Sequence, residues 1–204
     1  LFQALQRDLV PLAARIASAP RRPRSGILRR DFAIDRQRIF GEAVAAELGF
    51  DFHSGRLDVT LHPFLARIGP GDIRIATRYS PDNFGQGFFA IIHEVGHALY
   101  EQGLDPKCHG TPMGEAASLG MHEAQSRLWE NIVGRSRAFW EHFFPLAREI
   151  FHETLHDVSL DELHFAVNHV APTFIRSQAD EVTYNLHVLI RFELERALLA
   201  GDLA

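Results

Sequence analysis

Two stretches of the chain place histidine and glutamate at spacings that can do chemistry. One is His93-Glu94-Val95-Gly96-His97, the other His152-Glu153-Thr154-Leu155-His156. On an α-helix, residues i and i+4 project from the same face, one turn apart. Two imidazoles so placed can share a metal ion, and the glutamate between them can take a proton from a nearby water. The two copies match the same five-letter pattern, so their surroundings must rank them.

Around the second copy, Phe151, Thr154, Leu155 and Val158 form an apolar stripe. Glu149, His152, Glu153, His156 and Asp157 fall outside it. That is an amphipathic helix with a wet face, and no metal is needed to explain it. Around the first copy, Phe88, Phe89, Ile91, Ile92, Val95, Ala98 and Leu99 cover most of the helix circumference. Such a helix is expected to be buried, and its histidines and Glu94 with it. Buried polar groups are costly unless something satisfies them. A metal ion would do so; a hydrogen-bonded histidine pair is the other reading. Gly96 leaves room on the turn between the histidines, where a neighbouring backbone or a substrate could approach.

A catalytic metal needs a third protein ligand and a free position for water. Glu123, 26 residues after His97, is the candidate. It falls on a separate predicted helix, and a glutamate there after a helix–loop–helix connection resembles the gluzincin arrangement. Its competing role is an i,i+4 ion pair with Arg127, worth roughly a few tenths of a kcal/mol.

The elements that must position these residues are mostly helical. Apolar periodicity predicts helices over 2–18, 35–48, 85–103, 114–134, 137–155, 160–168 and 178–200. Ser159 and Glu162 form a capping box at the start of the 160–168 helix. Leu57–Leu61 and Ile73–Thr77 alternate as half-buried strands do, separated by Gly69-Pro70-Gly71. The expectation is a mainly α fold with a small β-element. Residues 21–30 hold five arginines; they read as a solvated loop or as a contact for an acidic partner surface.

The bulk numbers set the class. At 204 residues, 46% hydrophobic and 23% charged, the chain has the composition of a globular domain or a large piece of one. A net charge of −5 argues against a general nucleic-acid binder. No apolar run approaches the roughly 20 residues of a membrane helix. The single cysteine, Cys108, excludes an internal disulfide framework and points to a reducing, cytoplasmic compartment. A thiol nucleophile at Cys108 beside His109 is disfavoured, because no activating partner is evident. The chain opens on Leu1, so the native start is expected upstream.

His62-Pro63-Phe64, Asp72-Ile73-Arg74-Ile75-Ala76-Thr77, the His93–His97 motif, His122-Glu123-Ala124-Gln125 and Ile175-Arg176-Ser177-Gln178-Ala179-Asp180 follow one another along the chain. In this order they resemble the five motifs of the carboxypeptidase Taq family of metallocarboxypeptidases. Ala76 stands where the family has threonine, and Ala124 where it has Ser or Thr. The resemblance covers essentially the whole chain. Family members are more than twice this length, and their last motif, GxxQDxHW, is not within these residues. Residues 1–204 are therefore expected to be a single partial catalytic domain.

The resemblance implies a gluzincin-type, neurolysin-like helical metallopeptidase core. It implies one divalent metal, Zn2+ first and Co2+ second, held by His93, His97 and Glu123. Glu94 would be the general base. The substrates would be peptides with a free C-terminus, and the family tends to dimerise. Tyr184 is the candidate oxyanion donor, since Asp180, Tyr184, His187 and Arg191 form a polar stripe; a solvated stripe is the alternative. Arg74 and Arg176 are candidates for binding the terminal carboxylate, which suits a planar guanidinium fork. Each could instead pair structurally, with Asp72 or Asp180. His62 would line the site. The alternative function is a non-catalytic metal-binding fragment.

Overall fold

The helix carrying the first motif, α3 (Phe84–Gln102), separates two apolar cores. In the computed structural model, residues 2–24, 26–176 and 179–203 are described. They fall into two compact units, one from Gly26 to Val167 and one joining 1–25 with 168–204.

Within the first unit, Asn83 starts α3 by accepting the Gln86 amide. Phe84, Phe88 and Ile92 then pack with Phe40 and Val44 of α2 (Ile34–Glu47) and with Phe139, Trp140 and Phe143 of α5 (Arg137–Ile150). A second face of α3, carrying Ile91, Val95 and Ala98, packs on the sheet residues Leu57, Ile73 and Ile75. The expected burial of this helix is met for its apolar residues and Glu94, while His93 and His97 are half-buried. Fully burying one large apolar side chain contributes about 1.5–3 kcal/mol, against about 0–1 for an exposed ion pair. The two cores therefore hold α3, and surface charges do not.

The β-element is larger than expected. It has three strands, β1 (Gly55–Val59), β2 (Phe64–Gly69) and β3 (Asp72–Thr77), in the order β1-β3-β2. β1 runs parallel to β3, and β2 forms an antiparallel hairpin with it. The first strand ends at Val59, short of the expected Leu61, and β2 was not foreseen. Its alternation is masked: Leu65, Ala66 and Arg67 are all half-buried, because Arg67 is paired with acidic partners.

Three expected helix limits also shift: the last helix starts at Glu181, three residues past the expected 178, and the other two changes are larger. The 114–134 helix begins only at Leu119, where Ser118 accepts the Met121 amide. This is α4 (Leu119–Arg127), and it runs on into a π-helical stretch, Leu128–Val133. The 137–155 helix breaks at Phe151, whose ring is 1% exposed and packs edge-on against Phe32, Phe40 and Phe84. The helix is interrupted where that ring is seated. The second motif is left on the four-residue α6 (His152–Leu155), where His152, Glu153 and His156 are exposed and Leu155 is buried. Ser159 and Glu162 make the expected capping box at the start of α7 (Leu160–Val167).

The other unit contains α1 (Phe2–Ser18) and α8 (Glu181–Ala200). The Phe2 and Phe192 rings meet edge-on, with centroids 4.9 Å apart. Asp180 caps α8 by accepting the Val182 and Thr183 amides, both at 2.9 Å. Ser177 and Gln178, within the last motif, lie outside the described residues. Among the described residues, no helix is long and apolar enough to cross a membrane.

Candidate metal centre

Two faces of α3 are committed to the cores, and the remaining arc carries His93, Gly96, His97 and Glu101. α4 lies against it. The approach is close because Gly96 has no side chain: a Cβ there would sit 2.7 Å from Ser126 Cα and 2.8 Å from the Gln125 carbonyl oxygen. The neighbour anticipated at Gly96 is thus the backbone of α4. This contact brings Glu123 opposite the histidines.

Glu123 Oε2 lies 3.4 Å from His97 Nε2 and 3.7 Å from His93 Nε2. All three atoms lie within 4.8 Å of one another. In a tetrahedral zinc site with bonds of about 2.0–2.1 Å, neighbouring donor atoms sit about 3.3–3.5 Å apart. The Glu123–His97 separation fits that spacing, and the Glu123–His93 separation exceeds it by about 0.2 Å. The tautomer fits too. His93 Nδ1 lies 2.9 Å from Glu130 Oε2; in a neutral His93, the form that binds metal, Nδ1 would donate to that acceptor and leave the Nε2 lone pair toward Glu123. Among the described residues, no such group forms at His152–His156.

Glu123 is placed for both roles weighed for it. Its Oε1 accepts from Arg127 Nε at 2.9 Å, while Oε2 faces the histidines. Ser126, fully buried, donates to the Glu123 carbonyl at 2.8 Å and to Oε2 at 3.2 Å. The His97 side chain, with the charges of His93 and Arg127, outweighs burial and holds the Glu123 carboxyl down at about 2. The site therefore presents a carboxylate anion across the neutral pH range. Glu94 differs. It is 6% exposed, and burial pushes its carboxyl up, against the pull of His93 and His97. A buried carboxyl with raised basicity beside a metal-ligand set is suited to exchanging protons.

The other anticipated residues make contacts of their own. His62 is exposed in the turn between β1 and β2, and its carbonyl accepts from the Thr60 hydroxyl at 2.6 Å. Arg74, on the outer face of β3, makes a two-pronged pair with Asp72 at 2.8 and 2.7 Å. Arg176 and Tyr184 belong to the terminal unit, where the guanidinium donates to the Tyr184 hydroxyl. Glu130 was missed, though a signal existed: it stands seven residues after Glu123, two helical turns on. Arg127 donates to the same Glu130 oxygen at 3.0 Å.

The profile of the carboxypeptidase Taq (M32) metallopeptidase family matches residues 1–204. The chain belongs to this family. Thermostable carboxypeptidase 1 of Thermus thermophilus is 55% identical to this M32 chain, over 100% of the chain and 40% of that relative. Carboxypeptidase 1 of Bacillus subtilis is 38% identical, over 100% and 41%. The crystal structure of the M32 carboxypeptidase from Deinococcus radiodurans superposes with a TM-score of 0.96 at 51% identity, over 100% of this chain and 41% of that one. The chain thus spans about two fifths of the length of its curated relatives.

Glu130 supplies a direct check of the centre in this M32 chain. Glu130→Ala is expected to weaken Zn2+ binding about tenfold, the lower end of the range for losing a carboxylate behind a ligating histidine. Glu130→Gln keeps an acceptor for Nδ1 and should lose less. Competition with a chromophoric chelator measures both, and unchanged affinity in Glu130→Ala would remove Glu130 from the centre.

Proposed function

We propose that this chain carries the catalytic centre of a metal-dependent carboxypeptidase that releases single residues from peptide C-termini. The observation that carries the reading is the convergence of His93, His97 and Glu123 next to buried Glu94. Zn2+ is the metal of choice for two imidazoles and a carboxylate, with Co2+ as a working substitute. Bound there, it supplies Lewis acidity to a water and to the peptide carbonyl.

The chain's own residues do the rest. Glu94 takes the proton of the attacking water and passes it to the leaving amine nitrogen. Tyr184 donates to the developing oxyanion. Arg74 and Arg176 receive the terminal carboxylate, and His62 lines the groove. Residues 1–204 form a single partial catalytic domain, and the setting is the cytoplasm, with homodimers as the assembled form. A second reading is a metal-binding piece without turnover, favoured by the two-fifths coverage of the relatives.

One experiment separates them. Protein purified without chelator is assayed for metal content and for release of the C-terminal residue from an N-blocked dipeptide. The catalytic reading expects close to one equivalent of Zn2+ and chelator-sensitive release. Metal without release supports the second reading. Less than about a tenth of an equivalent of Zn2+ or Co2+ would sink both.

A further inference from the structure

The two histidines facing Glu123 are oriented by different means. His93 has its hydrogen bond to Glu130. His97 Nδ1 is buried and has no hydrogen-bond partner among the described residues. A ligating histidine ordinarily donates its second ring nitrogen to a carboxylate or carbonyl, which fixes the ring plane. For His97, a second imidazole lies where that restraint is missing. His122 of α4 stacks on it, with centroids 4.4 Å apart and planes 18° apart.

His122 is itself locked. Its Nε2 meets Glu101 Oε1 at 2.9 Å, and the carboxylate obliges that nitrogen to donate. The Glu101 side chain is 8% exposed and stands one helical turn beyond His97 on α3. Arg67 of β2 lies 3.3 Å from its other oxygen. The Tyr100 ring closes on His122 edge-on, at 5.5 Å. The stacked ring is thereby restrained in its own plane and along its edge.

We propose that His122, clamped by Glu101, is a positioning residue that sets the ring plane of His97 by stacking, in place of the hydrogen bond His97 lacks. The inference rests on the metal reading of the centre. It also separates two roles within one short segment: Glu123 faces the metal, and His122 next to it aligns another ligand.

The test is Zn2+ affinity, by chelator competition well below the melting temperature, and the absorption spectrum of the Co2+ form. His122→Ala and Glu101→Ala are each expected to weaken Zn2+ binding about tenfold, and to shift the Co2+ bands as the His97 ring turns. The double variant should be no weaker than either single one, because both act through one ring. Glu101→Gln, which still accepts from His122, should stay within about threefold. His122→Phe keeps a stacking ring without the clamp and should fall between. Where His122→Ala does not fold, His122→Phe and Glu101→Gln decide. If His122→Ala and His122→Phe both bind within about twofold of wild type with unshifted Co2+ bands, the positioning role is wrong. If wild type binds no Zn2+, the metal reading falls first and takes this inference with it.

Discussion

Glu94→Gln is expected to lower kcat for C-terminal residue release about a thousandfold, within the range that a general base contributes. KM and Zn2+ affinity should barely change. The amide is nearly isosteric with the carboxyl and sits in the same buried site on α3, but it cannot accept the water's proton. The metal-free protein offers an independent readout. Burial raises the Glu94 pKa in the folded state. Its folded form therefore binds protons more tightly than its unfolded form, whose pKa is about 4.3. The stability linked to protonated Glu94 is complete below that pH and declines as pH rises through the folded pKa. Gln carries no such decline. Melting temperatures of metal-free wild type and Glu94→Gln should coincide at acidic pH and separate toward neutrality, with the variant higher. A variant keeping more than about a tenth of wild-type turnover would remove Glu94 from the base role.

Gly96→Ala is expected to destabilise the protein by about 2 kcal/mol and to weaken Zn2+ binding as well. The sign is informative. In an unconstrained helix, alanine is favoured over glycine by about 0.5–1 kcal/mol. At Gly96 the added methyl meets Ser126 Cα at 2.7 Å and the Gln125 carbonyl oxygen at 2.8 Å. Both are backbone atoms, so no rotamer change relieves the clash. Overpacking of this kind costs about 1–3 kcal/mol, and relief requires α4 to withdraw, taking Glu123 with it. Gly85→Ala on the same helix is the control, because a Cβ there finds nothing nearer than 3.7 Å. Thermal unfolding should show Gly96→Ala lowered by several degrees (roughly 2–4 °C per kcal/mol for a chain of this size) and Gly85→Ala unchanged or raised. Equal behaviour of the two variants would mean that α4 yields freely.

The sequence was most legible where one strong force acts. The burial of α3 follows from apolar residues on most of its circumference, and that burial separated His93–His97 from the exposed pattern at His152–His156. Glu123 followed from helical placement and from family motifs. Less legible were features set by pairs of elements. β2 hides its alternation because Arg67 turns inward to Glu101, a pairing that a strand pattern does not encode. The start of α4 depended on Ser118 as a cap, whereas apolar periodicity alone ran the helix back to residue 114. Glu130, Glu101 and His122 each carry ordinary helical spacing; their partners become apparent only when α3 and α4 face one another. Tyr184 and Arg176 found each other in the terminal unit, which an i,i+8 spacing across a helix start would not suggest.

The π-helical stretch Leu128–Val133 has a consequence for how this chain can change over time. A π-turn holds one residue more than the α-turn it replaces. Losing one residue there would leave an ordinary α-turn that still closes one revolution, so the segments on either side would keep their relative orientation. With Phe139 and Trp140 anchored in the core downstream, Glu123 would stay opposite both histidines. The same loss within residues 124–127, where the helix is already α, would turn Glu123 by roughly 100°. The stretch holds a residue of length that the centre can lose, and α4 does not.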